Sequence, residues 1–137
     1  MTKGELYKRL NQVRDLDASL RIVGMKIERL EGCLQGHAIR YDRDKVQTSP
    51  SDPVAEVMGD LEILLKQQDR LRVAMTRAVA DVAGLIGQLK DNKQMLVMHY
   101  RYVAGLTWPV IAARMQFSER HTFRLHDEAV DYLCKNF

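Results

Sequence analysis

The chain has 137 residues, of which 46% are hydrophobic and 28% charged, a composition that excludes a disordered tail or a low-complexity tract. No apolar run approaches the ~20 residues that cross a bilayer, and Met1-Thr2-Lys3-Gly4-Glu5 has no signal-peptide character, so a soluble cytoplasmic protein is expected. The net charge of +3 is too small to argue for nucleic acid by itself, but it is uneven: ten Lys/Arg against seven Asp/Glu over 1–49, four against six over 50–88, and seven against five over 89–137.

The first predicted element is a helix from about Lys3 to Leu34. Leu6, Leu10, Val13, Leu16, Leu20, Val23, Ile27, Leu30 and Leu34 recur at spacings of three and four, close to a heptad seam. Lys8, Arg9, Arg14, Arg21, Lys26 and Arg29 fill the other faces, and Gly32 and Gly36 supply stops. From His37 to Pro53 there is no helical period, and Thr48-Ser49-Pro50-Ser51-Asp52-Pro53 is a breaker cluster. This stretch reads as a loop, with Arg40, Arg43 and Lys45 as a weak basic cluster and Ser51 or Asp52 capping the next helix.

From Pro53 to Leu89 the period is clearest. Val57, Leu61, Leu64, Gln68, Leu71, Met75, Ala78, Val82, Leu85 and Leu89 step by fours and threes. A helix of that length would run ~54 Å at 1.5 Å per residue and needs its seam covered. The first helix is the nearest cover, which gives a long antiparallel, coiled-coil-like hairpin over residues 1–90. Leu65, Val79 and Ile86 widen the stripe and suggest a further surface such as a second copy, so a homo-oligomer is expected. Gln68 either fixes register or reaches solvent, and Gly84 and Gly87 either admit a close neighbour or mark a bend.

Residues 91–137 read as a three-helix unit. Asp91-Asn92 caps a short apolar helix through Met95, Val97, Met98, Tyr100 and Tyr102, closed by Gly105. Thr107 can cap a second, with Pro109 in its first turn and Ile111, Ala112 and Met115 inside. Gln116-Phe117 makes a turn, and Ser118 caps a third helix whose buried face is Thr122, Leu125, Ala129, Val130 and Leu133. The layout is that of a helix-turn-helix, completing an all-α fold. Glu119, Arg120, His121 and Arg124 lie off the apolar stripe near the start of the last helix, where base edges are reached. The helix starts at Thr107 and Ser118 can hold phosphate.

Tyr100-Arg101-Tyr102-Val103-Ala104-Gly105-Leu106-Thr107-Trp108, Ile111-Ala112-Ala113-Arg114-Met115 and Phe117-Ser118-Glu119-Arg120 resemble region 4 of sigma-70-type factors over about a third of the chain. The whole chain, with Asp44-Lys45-Val46-Gln47-Thr48-Ser49-Pro50 and Arg124-Leu125-His126, resembles small phage and prophage transcriptional regulators. The resemblance implies a phage-encoded regulator of the bacterial host cytoplasm that binds duplex DNA near a promoter and can touch host RNA polymerase. It puts Glu119, Arg120, His121 and Arg124 on DNA, and Thr107 and Trp108 on backbone phosphate. Glu119 stands where sigma factors often carry a basic residue, and Pro109-Val110 replace an acidic pair. Nothing resembles the regions that melt DNA or bind the polymerase clamp, so a complete sigma factor is not expected.

The remaining side chains have plainer readings. Packing is the first expectation for Trp108 and Phe123. Cys33 and Cys134 read as free thiols, His99 as a core-edge residue, and the other histidines as solvent-facing. Neither Cys33 with His37 nor His121, His126 and Cys134 has the spacing of a structural zinc site, so no metal or cofactor is expected. Without a phosphate-cradling glycine loop or a nucleophile elbow, no enzymatic activity is expected either. Two other classes fit parts of the pattern. One is a protein-interaction module that docks on RNA polymerase or another phage protein. The other is a small terminase-like packaging subunit, although that class usually places its DNA-binding part first.

Overall fold

The computed structural model describes residues 1–44 and 52–137, with the backbone alone for 37–44. The described residues are all-helical: α1 (Lys3–Leu10), α2 (Gln12–Asp44), α3 (Pro53–Ile86), α4 (Asn92–Tyr102), α5 (Trp108–Met115) and α6 (Glu119–Asn136). None of these helices is both long and apolar enough to cross a membrane.

The chain starts with a capping box. Thr2 accepts from the Glu5 backbone N–H at 3.2 Å, and Glu5 accepts from the Thr2 backbone N–H at 3.1 Å. The single helix expected over Lys3–Leu34 is interrupted at Asn11, whose ψ of −1° loosens the spiral without leaving the right-handed region. The expected stop at Gly32 or Gly36 is not made, and α2 continues to Asp44. The glycine stop expected here turns to positive φ, and among the described residues only Gly105 and Gln116 do so. Gly32 and Gly36 stay helical, each at a cost of about 1 kcal/mol relative to alanine. The loop expected from His37 is therefore helical through Asp44. Lys45, the breaker residues 48–51 and the side chains of Arg40 and Arg43 lie outside what the structure describes.

At the start of α3 the Asp52 carboxylate accepts from the Val54 N–H at 3.0 Å, as expected of a capping residue ahead of Pro53. The helix ends at Ile86, one turn before the expected Leu89, and Gln88 and Leu89 close it with three-residue hydrogen bonds to Leu85 and Ile86. Gly87 marks that end, whereas a Cβ on Gly84 would meet nothing within 4 Å, so Gly84 admits no close neighbour.

Two compact units result: Met1–Asp17 with Ala74–Phe137, and Ala18–Val73. The packing boundary runs through the long helices, away from the functional division expected at residue 90, because the chain's first two turns and the end of α3 share a core with α4 and α6. That core contains Leu6, Leu10, Val82, Ile86, Met98 and Leu133, all fully buried. At its edge the Arg9 guanidinium donates to Asp81 at 2.7 Å and Gln12 donates to the same carboxylate at 3.0 Å. Arg9, and after it Gln12, hold the Asp81 carboxyl below the usual carboxylate range. A smaller core of Val97, Ile111 and Leu125 lies between α4, α5 and α6, and α6 touches α1, α4 and α5.

In the second unit the predicted seam residues of both helices face inward, but more loosely. Val23 and Ile27 are buried, while Leu20, Leu30, Leu34, Leu61, Leu64, Gln68 and Leu71 are half-buried.

Candidate nucleic-acid interface

The C-terminal helices are closed and joined by hydrogen bonds at their ends. Asp91 caps α4 by accepting from the Lys93 N–H at 2.9 Å. After Tyr102 the chain reverses through Gly105 at φ +71°, with Ala104 N–H bonded to His99 O and Leu106 N–H to Tyr100 O, both at 3.0 Å. The Arg101 guanidinium then fixes the loop by donating to Leu106 O at 3.2 Å. Thr107 has the extended backbone of an N-cap, but its hydroxyl makes no capping bond, contrary to expectation. Pro109 already removes one of the donors in that first turn, so less is left to satisfy.

The α5–α6 connection is the tightest feature of the unit. Gln116 turns left-handed (φ 59°, ψ 37°), its N–H reaches Ala113 O, and Phe117 N–H reaches back to Ala112 O at 3.0 Å. This is a Schellman ending with glutamine where glycine is usual. Two residues later the Ser118 hydroxyl accepts from the His121 N–H at 3.1 Å and starts α6. Ser118 is thus engaged as a cap, and its side chain is committed to the helix.

On α6 the inward face is Thr122, Leu125, His126, Ala129, Val130 and Leu133. The Thr122 hydroxyl spends its donor on Ser118 O at 3.0 Å, which lets a polar residue sit fully buried. Outward, the first two turns expose Glu119, Arg120 and Arg124. Arg120 has no ion pair with any described residue. Arg124 donates to His121 Nδ1 at 2.7 Å and lies 4.0 Å from Glu128, an arrangement that orients the guanidinium while leaving its side chain 67% exposed. His121 is half-buried with its ring edge-on to Phe117 at 4.6 Å. The next turns carry Asp127, Glu128 and Asp131, all exposed, so the outward face changes sign along the helix.

Trp108 and Phe123 pack on one another at 4.7 Å between centroids, the expected role for both, with Phe123 still 40% exposed. Arg101 lies over the Trp108 ring at 4.7 Å, Arg114 over Tyr100 at 5.9 Å and Lys93 over Phe117 at 5.6 Å. Three cations are thereby spread over aromatic rings of α4, α5 and the turn that follows α5. Of the residues singled out from sequence, Ser118, Glu119, Arg120, His121 and Arg124 come together at one end of α6. Thr107 and Trp108 stand at the start of the neighbouring helix.

Sequence reasoning missed His126. The expected solvent-facing histidine is only 5% exposed. Its ring stacks with Tyr7 and Tyr102 and meets the edge of Trp108 at 4.9 Å. Its Nε2 lies 2.7 Å from the Tyr102 hydroxyl and its Nδ1 3.3 Å from Asp127. Burial disfavours the charged imidazolium and pushes the His126 pKa down, partly offset by Asp127. A neutral ring with its proton on Nδ1, facing the acceptor-only carboxylate, leaves Nε2 to accept from Tyr102. Burial also pushes the Tyr102 phenol up to about 12. The signal was present as Thr122, His126, Ala129 and Leu133 at spacings of four, three and four, the period of the buried face.

Among the described residues no group of three or more metal-type ligands converges, and Cys33 and Cys134 are free. Compared with protein-family models, curated proteins and solved structures, the chain matches none.

Proposed function

We propose that α4–α6 is a helix-turn-helix that binds duplex DNA, with the first two turns of α6 in the major groove, and that the protein acts as a transcriptional regulator of the phage type. The observation that carries this reading is the division of α6. Its inner face is locked by Thr122, Leu125, His126 and Ala129, while Glu119, Arg120 and Arg124 are exposed at its capped end, Arg124 oriented by His121. Arginine donates two hydrogen bonds to guanine, and glutamate accepts from cytosine. Asp127 and Glu128, further along, would repel phosphate, which favours entry at the N-terminal end of the helix, while Asp131 is paired with Lys3 at 3.1 Å. Arg101, Arg114 and Lys93, spread over aromatic rings, supply charge for the flanking backbone. Thr107 and Trp108 belong to the same phosphate-facing side in this reading.

The long helices α2 and α3 serve, in the same proposal, as the arms of an antiparallel hairpin that carries the DNA-binding unit. Their inward-facing seams, stepping by threes and fours, support this arrangement. The test is selection of bound duplexes from a random pool with the full chain. Enrichment of one site, lost in Arg120→Ala, supports the reading, and a pool that stays random overturns it.

The acidic half of α6, together with the exposed Phe123, favours a second reading in which this face docks on RNA polymerase or another protein. Salt separates the two: DNA binding falls steeply with added salt, and an apolar protein contact does not.

A further inference from the structure

The Ala18–Val73 unit contains a second surface, independent of the DNA reading. Of the ten exposed large apolar side chains among the described residues, six lie in this unit: Ile22, Met25, Met58, Ile63, Leu65 and Val73. Val23 and Ile27 are its only buried apolar residues among those described. A pair of helices with so small a core has little to hold it together alone. One face carries a groove lined by Lys26, Arg29 and Leu30 from α2 and by Asp60, Ile63 and Leu64 from α3. Ile22 stands one helical turn before Lys26 and is 54% exposed, and Ile63 is 65% exposed.

The two walls of this groove differ in sign. The α2 wall is basic through Lys26 and Arg29, and the α3 wall is acidic through Asp60, with Glu56 one turn earlier. An apolar floor with an acidic wall suits neither nucleic acid nor an anionic membrane. It suits a copy of itself, because a two-fold axis lays the basic wall of one molecule on the acidic wall of the other. We propose that a second copy of this chain docks on this groove, with Ile22 and Ile63 as the apolar anchors and Lys26 and Arg29 opposite the second copy's Asp60.

Sedimentation equilibrium of the full chain tests this. The chain weighs 15.8 kDa, and a species of twice that mass is expected. Ile63→Glu should weaken self-association by at least about tenfold, a change of roughly 1.4 kcal/mol. A charge exchange separates contact from general damage, since Lys26, Arg29 and Asp60 are all exposed and their substitution does not disturb a core. A Lys26→Glu/Arg29→Glu chain and an Asp60→Lys chain should each lose self-association, yet pair with one another when mixed, with helicity by circular dichroism unchanged. A wild-type chain that stays monomeric or forms a larger ring overturns the proposal. So do charge variants that associate alone as well as the wild type, or that fail to pair when mixed.

Discussion

Removal of one hydroxyl from the buried Tyr102–His126 pair is the sharpest stability test of the C-terminal unit. Tyr102→Phe keeps the ring, its stacking on His126 at 5.7 Å and its volume, and deletes only the donor 2.7 Å from Nε2. His126 is 5% exposed, so water cannot replace that donor. A buried acceptor left unpaired costs about 1–3 kcal/mol. For a chain of this length 1 kcal/mol is worth about 3–4 °C in melting temperature, so Tyr102→Phe should melt roughly 3–12 °C lower. His126→Phe on its own should also destabilise, by stranding the Tyr102 hydroxyl. The double variant replaces both polar partners by apolar rings and should recover part of the loss, with a coupling of about 1–2 kcal/mol. Urea titrations followed by the fluorescence of Trp108, the sole tryptophan, report directly on this site because its ring edge meets His126 at 4.9 Å. Single variants within about 0.5 kcal/mol of wild type, or a double variant whose loss equals the sum of the singles, would refute the reasoning.

The same geometry sets three further outcomes. Because burial lowers the His126 pKa, the unfolded chain binds the proton first on acidification. Stability from this group is therefore complete above the unfolded value near 6.5 and is lost as pH falls from there toward the folded value; His126→Phe should flatten that dependence in urea titrations between pH 7.5 and 5. Gln116→Gly should raise stability by several tenths to about 1 kcal/mol by thermal melting, since a left-handed conformation strains any side chain at φ 59°. A drop would show that the Gln116 side chain supports the turn. Ser118→Ala should cost about 1 kcal/mol in the same assay through loss of the cap at 3.1 Å, and Ser118→Asp should retain most of it.

Much of the fold is legible in the sequence because periodicity and packing agree. Every seam position predicted from Leu6 to Leu34 and from Val57 to Leu89 is buried or half-buried. The buried face of α6 and the caps at Asp91 and Ser118 are equally direct, since each depends on residues a few positions apart. Boundaries read less well. Gly32 and Gly36 look like stops, yet a glycine ends a helix only if the chain beyond it gains by turning. The break at Asn11 carries no composition signal. His126 was misplaced because polarity outweighed position, whereas Tyr102, Tyr7 and Trp108, brought together from three other helices, make a buried imidazole acceptable. The outward residues of α6 were readable as a group, but the pairing of Arg124 with His121 depends on rotamers that spacing does not determine.

The DNA reading meets its most direct test in an anisotropy titration of the full chain on its selected duplex, at 50 and 200 mM salt, with Arg120→Ala alongside. Affinity is expected to fall steeply with salt, and Arg120→Ala to weaken binding by about 1–3 kcal/mol at either concentration while leaving the melting temperature unchanged. Binding that ignores salt, or an Arg120→Ala protein that binds like the wild type, would contradict the placement of α6 in the groove.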